Sequence, residues 1–264
     1  MVDPTEALDK ARKAVTERAE LPGMSLMEHL EELRKRIVHS AIYLALGFFV
    51  AFYFRESLYG IVKAPLGKMG MKLNYTHPMD PLNLYLQVAL IGGAILASPF
   101  ILYQVWLFIA PGLYQKEKRF VIPFMSATIG LFLGGAAFGY FFVFPGALKI
   151  LIFGFGKDFN AIVTIEEYTG FFLSIILGLG VSFELPILIF FLALFGIVSP
   201  KFLWKNIRYA ILAVFLVAAI ICPSPDPSTM CIYAIPMLAL YLVGIAVAWW
   251  VHPSRRKKAK EAAG

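Results

Sequence analysis

The chain has 264 residues, 59% of them hydrophobic and only 16% charged, with a mean hydropathy of +0.74. So apolar a composition excludes an ordinary water-soluble domain. The 24 Lys and Arg against 17 Asp and Glu leave a net charge of +7, but too little of the chain is soluble to present a nucleic-acid-binding face, so the excess must be read by its position along a membrane-embedded chain.

Residues 1–24 alternate acids and bases and lack the apolar core of a signal peptide, so they read as a retained polar extension. Ser25 and Glu28 have the spacing of a capping box, which predicts a helix beginning there and running through HLEELRKR into a first span at about 37–54. Leu26, Leu30, Leu33 and Ile37 share its apolar stripe. Glu28, Glu32 and Arg36 stack on another face, where Glu32 can pair with Arg36 and Glu31 with Lys35. Pro81 to Gln115 is uncharged over 35 residues, too many for one straight crossing; Pro99 and Pro111 divide it and predict a second span at about 82–110, tilted or kinked near Pro99. A third span follows at about 121–144, with Gly130, Gly134, Gly135 and Gly139 at the small-residue spacing that lets helices approach closely.

The fourth span, about 169–197, is uncharged except for Glu184 at its centre. Tyr209 to Cys222 makes only about 21 Å of helix before the turn CPSPDPS, so spans five (about 209–222) and six (about 229–251) form a hairpin with a short first arm. Cys222 and Cys231 lack metal or redox spacing and read as small core residues. Residues 252–264 are a basic tail suited to anchoring at lipid headgroups. The expected fold is an all-α polytopic membrane protein whose six kinked transmembrane helices form a concave bundle over residues 25–251. The segments flanking the spans on the terminal side hold 18 Lys and Arg against 6 on the other, which predicts both termini in the cytoplasm.

Two carboxylates stand out beside Glu32. Glu117 lies among Lys116, Lys118 and Arg119, where it either neutralises its neighbours or accepts a guanidinium fork from a ligand. Glu184 at mid-membrane is costly by a few kcal/mol or more and therefore faces a bundle interior, a watery concavity or a partner; Pro186 bends the helix beside it. His29, His39, His77 and His252 are scattered and no nucleophile, metal or phosphate-loop motif is present, so no catalytic residue, metal or cofactor is expected.

HLEELRKRI at 29–37, KAPL at 63–66, SPFILYQVWLFIAPGLYQKEKR at 98–119, YFFVFPGAL at 140–148, GVSFELP at 180–186 and CPSPDPST at 222–229 together resemble the TatC family, the multispanning receptor subunit of the bacterial twin-arginine translocase. The likeness runs from about residue 25 to 251. It implies a non-enzymatic receptor in the bacterial cytoplasmic (inner) membrane that binds signal peptides carrying paired arginines and exports folded proteins with the proton-motive force. By register within their motifs, it implies Glu32 and Glu117 as the arginine-pair site. Arg34, Phe108 and Leu113 lie beside these carboxylates and are expected to share in signal-peptide binding. Glu184 matches the family's polar residue of span four, while Pro65 and Asp226, in the KAPL and proline-rich-turn motifs, are expected to serve partner binding or structure. Met230 departs from the polar residue that the family often places where a single-span partner docks. The implied partners are twin-arginine signal peptides, TatA- and TatB-type single-span subunits, membrane lipids and further copies of the chain. The alternative is a proton-coupled secondary transporter using Glu184, which predicts inverted repeats and several midplane polar residues; only Ser182 stands close.

Overall fold

The computed structural model describes residues 26–109, 121–194, 196–221 and 227–251. Long apolar runs leave the backbone no polar partner in lipid other than itself, and the chain forms helices. Among the described residues the strand-like pairing is one isolated bridge between Asn74 and Thr164.

Helix α1 (Leu26–Tyr53) carries the surface segment into the first span without interruption, as predicted; its expected cap, Ser25, lies outside the described residues. Helix α2 (Arg55–Gly67) forms at the far end, inside the connection to the second span. Helix α3 (Asp80–Ile109) passes through Pro99 as one helix. A proline has no N–H to give the carbonyl four residues before it, and Ser98 Oγ instead donates to the Ile95 carbonyl at 2.7 Å. The same substitution occurs in α2, where the buried Pro65 deprives the Ile61 carbonyl of its helical donor and the Tyr140 hydroxyl donates to it at 3.0 Å. Pro65 thus has a structural part in joining α2 to the third span.

The third span is longer than its predicted 121–144. Helix α4 (Val121–Phe138) continues through a π-helical turn (Gly139–Val143), α5 (Phe144–Lys149) and a second π-helical turn (Ile150–Phe155). The predicted fourth span is two helices, α6 (Ile165–Ser182) and α7 (Leu185–Leu194), broken at Phe183 and Glu184. Pro186 cannot donate to the Ser182 carbonyl; the chain tightens, with Glu184 N donating to Val181 O at 3.0 Å, and resumes with Leu188 N donating to Glu184 O at 2.9 Å. A capped turn, α8 (Pro200–Lys205), precedes α9 (Ile207–Ile221) and α10 (Pro227–Val251). Five helical runs are long and apolar enough to cross a membrane, namely Met27–Tyr53, Asp80–Phe108, Pro123–Phe155, Ile165–Leu194 and Met230–Val251, and Ile207–Ile220 is a shorter apolar helix.

Helix α1 packs along α3, α3 and α4 pack on α6, and α10 packs on α7 and α9. The core centres on Phe144, Tyr168, Ile175, Leu179 and Tyr233. Of the four glycines expected to permit close packing in the third span, Gly135 and Gly139 meet α6, whereas Gly130 and Gly134 face open space. Cys231 is exposed on the bundle surface, not a core residue; Cys222 lies outside the described residues. Within this core the Tyr168 hydroxyl donates to the Val62 carbonyl at 2.8 Å and is buried. Removing it by Tyr168→Phe is expected to cost about 1–3 kcal/mol, because an accepting carbonyl in an apolar surround loses a donor. Thermal unfolding of the purified variant in detergent checks this; an unchanged midpoint would show that the bond does not help fasten α2 to the bundle.

Candidate functional site

Antiparallel packing brings the start of α1 against the end of α3. There the Arg36 guanidinium donates through Nη2 to Glu32 Oε1 at 3.0 Å and through Nη1 to Gln104 Oε1 at 3.1 Å. The first bond is the four-residue pair expected from helix spacing; the second crosses to the neighbouring span. Glu32 is largely buried, its side chain 14% exposed against 23% for Arg36. Among the described residues, Glu32 Oε2 and Arg36 Nε are shielded from solvent and have no hydrogen-bond partner. Among the described residues, one of the two carboxylate oxygens therefore accepts no hydrogen bond. One turn toward the start of α1, the His29 ring stacks on Phe108 with centroids 4.5 Å apart and planes inclined by 24°.

The structure thus places Glu32 and Phe108 at one end of the α1–α3 seam, while Arg34 is exposed on α1. Glu117, Leu113 and Asp226 lie outside the described residues. Gln104 was not singled out by sequence reasoning; its signal is the one side-chain amide in the apolar stretch 88–109 of α3, and the residue is only 4% exposed. Met230 is half-buried in the first turn of α10.

Glu184 stands apart from Glu32, and no hydrogen bond or ion pair links the two. It sits at the break between α6 and α7, with Oε1 buried and lacking a hydrogen-bond partner among the described residues. The nearest polar side chain in sequence, Ser182, is engaged elsewhere, donating to the Gly178 carbonyl at 2.6 Å. Phe183 beside it packs near Phe138 and against Gly135, wedging the break into the third span.

At the opposite end of the bundle, His77, Asp80 and Glu166 each offer one ligand-type atom within 4.8 Å of the others. Asp80 Oδ2 there accepts from Thr76 N at 2.8 Å and His77 N at 2.9 Å, so this carboxylate organises the loop preceding α3 and its burial needs no ion. Two cavities of about 430 and 500 Å³ also lie at that end, the first lined by Leu151, Ile162 and Glu166 and the second by Tyr59, Lys63 and Met71. Neither touches Glu32 or Glu184.

These features define a polytopic helical membrane protein with a buried, guanidinium-paired carboxylate at one end of its bundle. The family model of the Sec-independent protein translocase protein (TatC) matches residues 28–236. A TatC protein of Koribacter versatilis is 51% identical over 265 residues, covering 98% of this chain and 97% of its own. One of Desulforapulum autotrophicum is 44% identical over 223 residues, covering 83% and 82%. A solved structure described as the twin arginine translocase receptor TatC superposes with a TM-score of 0.78 at 38% identity, covering 85% of this chain and 99% of that one. The chain belongs to the TatC family of protein translocase subunits, whose role is transport rather than catalysis.

Proposed function

We propose that this protein is the receptor and core subunit of a twin-arginine translocase, binding the paired arginines of export signal peptides at the end of the bundle that holds Glu32. The observation that carries this reading is the Glu32 carboxylate: largely buried and, among the described residues, bonded by Arg36 with its second oxygen unused beside an aromatic stack. A guanidinium presents two parallel N–H donors to such a carboxylate, whereas an ammonium is a single point of charge. Two arginines need two acceptors, and Glu117, in the connection that follows α3, supplies the second. Arg34, Phe108 and Leu113 flank the pair. On this reading the chain makes six crossings of the bacterial cytoplasmic membrane, α9 being the short one, with both termini in the cytoplasm. TatA- and TatB-type single-span subunits, lipids and further copies of the chain cover its outer faces, with Pro65, Asp226 and Met230 in or near the partner-facing elements. The proton-motive force drives export.

The test is binding of a labelled twin-arginine signal peptide and its Lys-Lys counterpart to the chain in lipid nanodiscs, repeated with Glu32→Gln and Glu117→Gln. A preference for Arg-Arg that both substitutions abolish supports the receptor reading. Equal binding of both peptides, indifferent to either substitution, overturns it.

Glu184 belongs to a later step than recognition. A carboxylate oxygen buried without a partner is a cost that folding alone does not repay. Glu184→Leu is therefore expected to leave the thermal midpoint unchanged or raised, to leave peptide binding intact, and to lower export in membrane vesicles carrying the partner subunits. Undiminished export by a well-folded Glu184→Leu protein would remove Glu184 from the mechanism. No further observation favours the transporter alternative: among the described residues Glu184 Oε1 has no hydrogen-bond partner.

A further inference from the structure

The end of the bundle away from Glu32 carries cations that the bias of basic residues toward the terminal side does not explain. Of the six Lys and Arg on that side, four, Arg55, Lys63, Lys68 and Lys72, fall between positions 55 and 72, on α2 and the turn after it, with Glu56 as the sole acid among them. Arg55 has aromatic neighbours, its guanidinium carbon lying 5.2 Å from the ring centroid of Phe52 and 5.9 Å from that of Tyr85. Among the described residues Lys63, Lys68 and Lys72 take part in no ion pair. The fold gathers two of the three. Helix α2 ends in a reversal at Gly70, whose φ of +75° favours glycine, with Gly70 N donating to Gly67 O at 3.0 Å and Met71 N to Leu66 O at 3.4 Å. This turn brings Lys72 back to the cavity of about 500 Å³ that Lys63 also lines, together with Tyr59, Gly60, Leu66 and Leu73. Among the described residues no carboxylate lines it. Lys63 Nζ stands 4.9 Å from the Tyr59 ring centroid.

We propose that this cavity binds the phosphodiester headgroup of an anionic phospholipid, drawn from the leaflet opposite the chain termini. Two ammonium groups bring positive charge and N–H donors to one concavity, and a phosphodiester brings the complementary charge and acceptor oxygens. The rest of the lining favours a lipid over a free anion, because Leu66 and Leu73 offer apolar surface to the glycerol and first methylenes beside the phosphate. Depth favours it too. Helix α1 leaves the first span at Tyr53 and Phe54, both exposed and both of the aromatic kind that settles at a membrane–water interface, and α2 follows at once. Gly60 keeps the cavity open, since a Cβ added there would meet nothing within 4 Å. The inference requires a chain that spans a membrane; it does not depend on the arginine-pair site at the other end of the bundle.

The test is the rate at which an amine-acylating reagent modifies each lysine of the full chain, read residue by residue by mass spectrometry, in nanodiscs of phosphatidylcholine alone and of an equal mixture with phosphatidylglycerol. The attraction of a lysine for an anionic headgroup amounts to about fivefold, so a headgroup held by two should slow modification of Lys63 and Lys72 by on the order of 25-fold, and diffuse attraction at the surface should slow Lys68 by about fivefold or less. Lys68 is the internal control because it lies in the same turn without lining the cavity. Lys63→Gln, at an exposed position, is expected to shrink the protection of Lys72 by about fivefold. Gly60→Leu keeps every charge but fills the cavity, and should reduce protection at both lysines to the level of Lys68, with thermal unfolding confirming an intact fold. The proposal is overturned if all three lysines slow alike, if Lys63 and Lys72 are not protected, or if a folded Gly60→Leu protein keeps the protection. It is also overturned if inorganic phosphate added to the phosphatidylcholine discs protects the two lysines as well as phosphatidylglycerol does, which would make the cavity a site for a small anion. Loss of the receptor reading at Glu32 would leave all of these rates as they are.

Discussion

Replacing Glu32 by glutamine is expected to weaken binding of a twin-arginine peptide by about 2–5 kcal/mol, the loss seen when one partner of a desolvated, hydrogen-bonded charge pair is removed. The same substitution at an exposed rim would change the affinity hardly at all. Burial decides between the two regimes, and with its side chain 14% exposed Glu32 falls in the first. Glutamine is the right replacement because it keeps the shape and one accepting oxygen while removing the charge, and Arg36 retains Gln104 as an acceptor, so the α1–α3 seam stays closed. Titration of the labelled peptide by anisotropy, with the thermal midpoint measured alongside, separates loss of binding from loss of fold. An affinity within about threefold of the unchanged protein, for a variant that unfolds normally, would place the arginine pair elsewhere on the chain.

The second large effect is expected from one added methyl group. At Gly93 a Cβ would sit 2.6 Å from the backbone nitrogen of Phe48 and 2.7 Å from its Cα, and at Gly47 it would meet the Gly93 carbonyl oxygen at 2.6 Å. The opposing atoms are backbone on an apposed helix and cannot swing aside as a side-chain tip can. Gly93→Ala must therefore separate α1 from α3, costing about 1–3 kcal/mol for overpacking, more where the seam opens along its length. Because Arg36 and Gln104 meet only across this seam, peptide binding should fall together with stability although the substitution is far from Glu32. Gly134→Ala is the matched control: nothing lies within 4 Å of its added Cβ, and it should be neutral or stabilising. If the two alanine variants unfold at the same temperature, the α1–α3 seam is looser than these distances require.

The spans were legible in the sequence because a bilayer leaves a long uncharged run no alternative to a helix. The Glu32–Arg36 pair was legible for a local reason, since residues four apart on one helix are neighbours whatever surrounds them. Gln104 was not, because its contact with Arg36 joins positions 68 apart in the chain and no periodicity encodes which helix lies next to which. Similarly, Pro99 signals a kink, yet α3 continues through it with the Ser98 hydroxyl on the Ile95 carbonyl, whereas the fourth span is broken at Phe183 and Glu184, just ahead of Pro186. Glu117 could be singled out by charge and by family likeness alone, and it lies outside the described residues.

The tight Gly47–Gly93 approach also acts as a fulcrum. Glu32 stands about fifteen residues from Gly47, a lever arm of roughly 22 Å of helix, so a change of about 5° in the crossing of α1 and α3 moves the far end by on the order of 2 Å. The two bonds of Arg36 respond to that motion differently. Its bond to Glu32 rides on one helix and survives, while its bond to Gln104 spans two helices, and a hydrogen bond does not tolerate such a displacement. Helix tilt follows bilayer thickness. A change in the thickness of the surrounding membrane therefore bears on the Arg36–Gln104 bond more than on the Arg36–Glu32 bond.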